Sequence, residues 1–183
     1  MQTRQLPEAP DARSPAGAEI RYLVGGTTGN MIHSTVPPGQ VNRATVHATV
    51  SEFWHVLSGR GEIWRRDASG EEVADLTPGV SIDIPVGTAF QYRCIGAESL
   101  RFICISMPPW PGDAEATQVE GPWVPTAPET TTVEFVGGPR EGERSTLDDR
   151  LAEIAMPDGA YVRSVRCADD GALRYVWSPR EKS

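Results

Sequence analysis

The sequence predicts an all-β protein whose main domain is an antiparallel β-barrel or sandwich. Short runs of apolar and β-branched residues recur at a spacing of roughly 8–12 residues, which is typical of these architectures. Turn-forming residues separate the runs, and the 183-residue chain contains 18 glycines and 16 prolines. No long helical pattern interrupts the series, so the regular structure is expected to be almost entirely strand.

Nine short strands are predicted for the barrel and three for the C-terminal part of the chain. The barrel strands lie at residues 20–24, 31–36, 44–50, 53–58, 61–66, 72–76, 80–84, 89–95 and 100–107. The later strands lie at residues 131–136, 161–165 and 173–177, with turns at residues 137–139 and 169–171. A weak helical pattern at residues 147–154 predicts one short helix.

The pattern divides the chain into three segments. Residues 1–17 show no periodicity and offer little apolar surface to offset the entropy of ordering, so they are predicted to form a flexible tail. The barrel spans residues 18–124 and ends in a proline-rich strap from residue 108, which Trp110 and Trp123 are expected to pin down. Residues 125–183 are predicted to form a small β-rich module without recognisable chemistry.

Charge and cysteine content exclude several classes of protein. The formal net charge is −8, and residues 113–160 alone carry 11 acidic and 3 basic residues. A chain without a basic stripe is a poor partner for nucleic acid. No apolar run of about 18 residues is present, so a membrane-spanning helix is not expected. The three cysteines form no C-x-x-C pair, which favours free, buried thiols and a cytoplasmic location.

Two segments of the predicted barrel share their glycine and proline spacing with a known family. The first contains Gly39, Thr45, His47, Glu52 and Gly59. The second contains Gly79, Pro85, Gly87, Phe90 and Cys94. These segments resemble the two motifs of the cupin superfamily, G-x5-H-x-H-x(3,4)-E-x6-G and G-x5-P-x-G-x2-H-x3-N. The resemblance covers residues 31–107 and implies a cupin-type antiparallel β-barrel, or jelly roll, with degenerate metal-ligand motifs.

The resemblance also implies a metal-ligand set, which is incomplete in this chain. Cupins hold a divalent metal with three histidines and one glutamate, and here Thr45 and Phe90 stand in place of two of those histidines. His47 and Glu52 remain as metal ligands, and His33 or Cys94 is the candidate for a third. A divalent ion such as zinc, iron, manganese or nickel is one alternative, and a metal-free site is the other.

Strand parity brings the candidate site residues to one face of the sheet. Because side chains alternate along a strand, Thr45 and His47 point to the same side, where Glu52 from the next strand meets them. By the same rule the side chains at positions 90, 92 and 94 share a face, and Gln91 and Arg93 share the more solvent-compatible one. The predicted substrate-binding residues are Thr45, Trp54, Phe90, Tyr92 and Cys94.

The pair of His47 and Glu52 predicts acid–base chemistry with or without a metal. The carboxylate is expected to orient the imidazole and raise its basicity, so these two residues are the catalytic candidates. The resemblance implies reactions on small molecules, such as isomerisation, epimerisation, cyclisation or decarboxylation, and the missing ligands disfavour oxygenase chemistry. The alternatives are a metal-free ligand-binding module without catalysis and a purely structural barrel.

The expected partners are a small molecule and a second copy of the chain. Aromatic residues in the barrel favour an apolar or aromatic ligand there, and the cupin resemblance implies a homodimer that pairs through a sheet edge. His55 follows Glu52 by three residues and is expected to face away from it. Five arginines are either a patch for an anionic substrate or exposed strand-face residues: Arg60, Arg65, Arg66, Arg93 and Arg101.

Overall fold

The computed structural model confirms the predicted all-β class. It describes residues 1–127, 130–148, 151, 153–168 and 172–180. The chain forms two compact units. The first contains Met1–Pro7 and Ser14–Ala127, and the second contains Glu8–Arg13 together with the described residues from 130 onward.

The first unit contains ten strands, all but one of which the sequence predicts. A two-residue strand that belongs to the second unit, β1 (Ala12–Arg13), precedes them. The ten strands are β2 (Glu19–Gly25), β3 (Asn30–Val36), β4 (Thr45–His47), β5 (Ser51–Ser58), β6 (Gly61–Asp67), β7 (Gly70–Leu76), β8 (Ser81–Ile84), β9 (Ala89–Cys94), β10 (Leu100–Met107) and β11 (Ala116–Gln118). The unpredicted strand, β11, follows a short 3-10 helix, η1 (Asp113–Glu115).

These strands form two sheets that enclose one hydrophobic core. One sheet has the order β2-β3-β10-β5-β8, and the other has the order β11-β4-β9-β6-β7. All of the pairings within these two sheets are antiparallel. The core cluster takes residues from both sheets, so the unit is a barrel whose interior is filled by the inward-facing side chains of the two sheets.

Alternation along β5 shows why the sequence folds this way. Glu52, Trp54 and Val56 are buried, whereas the intervening Phe53 and His55 are exposed. Their partners on β10 continue the pattern, because Ser106 lies opposite Glu52 and the other buried residues follow at intervals of two. A strand with this period buries one face and leaves the other to the surface.

Aromatic residues fill the middle of the barrel. Trp54 stacks on Phe102 with ring centroids 4.1 Å apart and meets Tyr92 edge-on at 4.8 Å. Phe90 contacts Trp54 edge-on at 5.9 Å. Such pairs each add about 0.5–1.5 kcal/mol to the stabilisation that comes from burying their area.

The turn after β5 depends on a motif glycine. Gly59 has a φ of +80°, and a Cβ atom there would lie 2.3 Å from the carbonyl oxygen of Ser99. A side chain at this position would meet both a disfavoured backbone conformation and a backbone clash. The motif glycine therefore allows the chain to turn tightly between β5 and β6.

The proline-rich strap is tied to the barrel by a buried glutamine. The Gln91 side chain donates to the carbonyl oxygens of Asn42 (2.9 Å) and Trp123 (2.7 Å), and it accepts from the Trp123 amide (3.0 Å). Arg93 lies over the Trp123 ring at 4.2 Å. The sequence assigns Gln91 to the more solvent-compatible face, but the strap covers that face and Gln91 is fully buried.

Residues 14–18 form a hydrogen-bonded turn, although the sequence assigns most of them to a flexible tail. The Ser14 hydroxyl accepts from the amides of Gly17 (3.2 Å) and Ala18 (3.0 Å). Ala16 and Ala18 are buried in the core cluster. Small side chains at these two positions allow the turn to pack against the core, a contribution that periodicity does not reveal.

The second unit is built on a five-stranded sheet. Its strands are β12 (Thr130–Val136), β13 (Arg144–Asp148), β14 (Glu153–Met156), β15 (Gly159–Cys167) and β16 (Leu173–Pro179), in the order β13-β12-β16-β15-β14. The pair β12-β16 is parallel and the others are antiparallel. Phe135, Tyr161 and Tyr175 are fully buried, and the Tyr161 hydroxyl donates to the Gly137 carbonyl at 2.7 Å.

Two local predictions for this unit have different outcomes. The helix at residues 147–154 is wrong, because the described residues at both ends of that range lie in β13 and β14. Sheet pairing overrides the weak helical pattern there, as in the pairing of Leu147 with Thr131. The turn predicted at residues 169–171 lies outside the described residues. A second 3-10 helix, η2 (Gly138–Arg140), follows β12.

Candidate functional site

His47 lies at the end of β4 with its imidazole inside the barrel. The side chain is only 5% exposed. Phe90 and Trp110 both meet the imidazole edge-on, at ring-centroid distances of 5.0 and 4.9 Å. Burial lowers the pKa of His47 below its ordinary value of 6.5, and the charges of Glu52 and Glu115 oppose that shift. His47 is therefore neutral at neutral pH and able to accept a proton.

Glu52 is held by donors from two strands. The Trp54 indole donates to Glu52 Oε2 at 2.9 Å, and the Ser106 hydroxyl donates to Oε1 at 3.4 Å. Ser106 lies directly opposite Glu52 in the β10-β5 register. Glu52 is buried, so these contacts fix its position without a hydrogen bond to the imidazole. Glu52 thus acts on His47 through its charge.

A second carboxylate reaches the same region from the strap. Glu115 is buried at the end of η1 and accepts from the amides of Thr49 (2.5 Å) and Val50 (2.8 Å) and from the Thr49 hydroxyl (2.8 Å). Burial acts to raise the pKa of Glu115, but these hydrogen bonds outweigh it and hold the pKa below 4.5. The carboxylate clamps the β4-β5 turn next to His47.

The strap also supplies a lid over the imidazole. The Trp110 amide donates to Asn30 Oδ1 at 2.6 Å, which fixes the backbone beside the start of β3. From this point the indole reaches the His47 ring. His47 is further enclosed by strand pairing, because Ala116 of β11 lies opposite it. The strap therefore closes the end of the barrel where the polar residues gather.

Two buried polar atoms at the site have no hydrogen-bond partner among the described residues. They are Nδ1 of His47 and Oγ1 of Thr45. Thr45 is 1% exposed and pairs with Phe90 across the β4-β9 register. Buried polar atoms are normally paired, so unpaired ones signal strain, water or a missing ligand. These two point into the same interior face.

The structure brings five of the predicted residues together: Thr45, His47, Glu52, Trp54 and Phe90. Tyr92 lies further along β9, and its hydroxyl hydrogen-bonds with Ser14 and Asn42. Burial raises the pKa of Tyr92 far above its ordinary range, so the phenol stays neutral. Tyr92 contributes an aromatic wall through its ring rather than a polar group at His47.

Two candidate third ligands lie away from His47 and Glu52. Cys94 lies four residues beyond Phe90, or roughly 13 Å along an extended strand, and its thiol donates to the Glu98 carbonyl at 3.2 Å. His33 lies opposite Ile103 on β10, whereas Glu52 lies opposite Ser106. Ile103 and Ser106 are three residues apart on β10 and therefore point to opposite faces of the sheet. His33 thus lies on the outer face and does not reach the interior site.

His55 and the arginines lie outside the site. His55 is exposed, bonds the Ser81 hydroxyl at 2.8 Å and lines an outer groove of about 410 Å³ with Phe53. Arg65 pairs with Glu72 and Asp83, and Arg93 pairs with Glu62 at 2.6 Å. The other three candidates, Arg60, Arg66 and Arg101, are exposed.

Three site residues were not predicted: Ser106, Trp110 and Glu115. Strand β10 is apolar on both faces apart from its ends, so alternation alone does not tell which face holds Ser106. Trp110 was identified only as an anchor of the strap. No motif or spacing in the sequence predicts Glu115 as a site residue, because its role depends on where the strap crosses the β4-β5 turn.

The donor set does not fit a divalent metal site of the cupin type. The described residues contain no group of three or more His, Cys, Asp or Glu side chains placed to hold a metal ion. Only His47 and Glu52 remain from the family set, and both oxygens of Glu52 accept hydrogen bonds from protein donors. Two ligands fall short of the three or four that stable sites provide.

Comparison with solved structures shows the fold. A conserved protein from Klebsiella pneumoniae with a double-stranded β-helix domain is 20% identical, covers 66% of this chain and 100% of its own, and has a TM-score of 0.51. An oxalate decarboxylase variant from Bacillus subtilis is 14% identical, covers 65% of this chain and 33% of its own, and has a TM-score of 0.54.

A capsular polysaccharide assembling protein, CapF from Staphylococcus aureus, is similar to the same extent. It is 20% identical, covers 65% of this chain and 33% of its own, and has a TM-score of 0.52. The chain thus spans about a third of the decarboxylase and CapF chains. No curated protein matches the chain.

The sequence itself matches a described family over the barrel. The cupin domain family matches residues 32–106, which run from β3 to the end of β10. This segment contains both motifs and the strands that carry His47, Glu52 and Phe90. Family match and fold agree that residues 32–106 form a cupin domain.

Proposed function

We propose that the protein is an enzyme that moves a proton on a small molecule bound at the end of the barrel. The observation that carries this proposal is the state of His47. Its imidazole is buried, neutral and unpaired at Nδ1 among the described residues, and two carboxylates lie near it. A neutral base in a water-poor site is suited to general base catalysis.

The proposed step uses protein groups alone. Nδ1 of His47 takes a proton from the substrate, which leaves the bonding electron pair on the substrate, and the imidazole becomes an imidazolium. The charges of Glu52 and Glu115 stabilise that imidazolium. Return of the proton to a different substrate atom restores neutral His47 and completes an isomerisation without an oxidant. Trp110 shields the site from water while the proton is held.

Exchange with solvent deuterium tests this proposal across many candidate substrates at once. A library of small metabolites is incubated with the protein in D2O, and mass spectrometry identifies compounds that gain deuterium at carbon. His47→Ala is expected to slow the exchange by about 10²–10⁴-fold. His55→Ala is the matched control, because it removes an exposed imidazole from the neighbouring strand. Equal exchange by wild type and His47→Ala contradicts the proposal.

A binding module without catalysis is the second candidate. The packing of the interior favours it, because Trp54, Phe90, Tyr92 and Phe102 occupy the middle of the barrel and leave the polar end as the place for a ligand. A metabolite that binds saturably, depends on His47 and exchanges no proton would support this reading. Calorimetric titration of the metabolites that shift protein NMR signals measures this binding, and the deuterium-exchange assay on the same metabolites distinguishes the two candidates.

Three further expectations remain predictions. A divalent metal at His47 and Glu52 would need ligands beyond these two, and elemental mass spectrometry of the purified protein and of His47→Ala tests for it. A homodimer is tested by light scattering, where a single peak at the monomer mass contradicts it. A cytoplasmic location is tested by cell fractionation. No helix among the described residues is long and apolar enough to cross a membrane.

A further inference from the structure

The charges that face the candidate site are all negative. Glu52 approaches His47 from β5, and Glu115 approaches from the strap, where its backbone carbonyl accepts from the Ala48 amide at 3.1 Å and the next residue, Ala116, pairs with His47. Both carboxylates are at least nine-tenths buried. Neither forms an ion pair with an arginine or lysine in the part of the chain that the structure describes.

Two arginines of the barrel are held in ion pairs away from the site. Arg65 and Arg93 are held in outer ion pairs with Glu72, Asp83 and Glu62. The site therefore has buried negative charge without a protein cation to balance it. Protein donors already satisfy the oxygens of both carboxylates, so a ligand cation would interact with them through charge, which acts strongly at a low effective dielectric.

The walls of the site suit a cation as well. Trp110 and Phe90 both pack against the His47 ring, and the faces of aromatic rings attract an ammonium group. The unpaired atoms, Nδ1 of His47 and Oγ1 of Thr45, are both able to accept a hydrogen bond from an N–H group. His47 is 5% exposed and Thr45 is 1% exposed, so these acceptors point into the barrel rather than to bulk water.

We infer that the ligand of this site is a small organic cation, of the class of protonated amines, and not a carboxylate or phosphate. Carboxylate charge, aromatic rings and unpaired acceptors are the features that recognise an ammonium group. An anionic ligand would meet two like charges in a buried site. This inference rests on the proposed site and adds the chemical class of its substrate.

Three matched probes test the charge preference by NMR titration: benzylammonium, benzyl alcohol and benzoate. Binding is followed through the His47 ring signals and the Trp110 indole N–H signal. Benzylammonium is expected to bind roughly tenfold or more tightly than benzyl alcohol, with benzoate weakest, because a unit charge near a buried carboxylate interacts strongly at a low effective dielectric. Glu52→Gln should reduce the preference, and Glu120→Gln, an exposed acid of the strap, should leave it unchanged.

The outcomes separate this inference from the proposed function. Benzoate or benzyl alcohol binding at His47 as tightly as benzylammonium overturns the inferred substrate class but leaves proton transfer at His47 intact. Failure of all three probes to perturb His47 and Trp110 also overturns the inference, and deuterium exchange by wild type and His47→Ala then decides the proposed function independently. The comparison of probes on wild-type protein does not depend on any variant folding.

Discussion

Glu115 offers the sharpest test of how the strap supports the site. Glu115→Ala removes the acceptor of three hydrogen bonds in one step. The Val50 amide then lies buried without a partner, which costs about 1–3 kcal/mol. Thr49 is exposed, so water replaces most of what its amide and hydroxyl lose, at about 0.5 kcal/mol each. The free energy of unfolding should fall by about 2–4 kcal/mol.

Urea denaturation followed by tryptophan fluorescence measures this change. With a slope of about 2 kcal/mol per molar urea, in the middle of the typical range, the midpoint should move down by about 1–2 M. Glu120→Ala is the matched control, because Glu120 is an exposed acid of the same strap, and its effect should stay within about 0.5 kcal/mol. Equal midpoints for Glu115→Ala and Glu120→Ala would refute the clamp.

The pH dependence gives an independent check of the same contact. The folded state lowers the pKa of Glu115 below 4.5, so it binds fewer protons at this group than the unfolded state does. The resulting stability is present above the ordinary pKa and is lost as the pH falls through the folded value. The difference between wild type and Glu115→Gln should therefore shrink between neutral pH and acid. A constant difference contradicts this assignment.

Three other predictions test the barrel and its base. Gln91→Leu should destabilise the fold by about 2–4 kcal/mol in urea, because it leaves the buried polar groups of the strap unpaired. Gly59→Ala should cost more than Gly79→Ala in thermal melts, since only Gly59 has backbone atoms where a Cβ would lie. His47 should titrate below 6.5 by NMR, so stability should fall as the pH drops through that lowered value; a midpoint above 6.5 would contradict the burial argument.

The barrel is predictable because its signals are local. Turn residues and period-2 alternation locate nine strands, and the glycines of both motifs fix the turns between them. The same parity correctly assigns Thr45, His47 and Glu52 to the interior, where the structure finds them buried. Each of these inferences needs only a strand and its immediate neighbour in sequence.

The parts that escaped prediction depend on contacts between distant segments. His33 has the right chemistry for a ligand, but the β3-β10 register turns it to the outer face. Gln91 is polar, as a solvent-facing residue would be, but Trp123 of the strap, 32 residues later in the sequence, covers it. Glu115 becomes part of the site through the β4-β5 turn, which lies 65 residues away. The alternation of side chains along one strand does not tell which distant segment will pack against that strand.

Strand β11 covers β4 and is itself the edge strand of its sheet. Its three residues, Ala116–Gln118, pair with the whole of β4, which would otherwise be the last strand on that side. An uncovered edge presents unpaired N–H and C=O groups to any other extended chain and promotes aggregation. A chain that ended after Met107 would contain every motif of the family and still expose β4 to intermolecular pairing. The strap therefore moves the sheet edge from β4, which is close to the site, to β11, and it also covers His47.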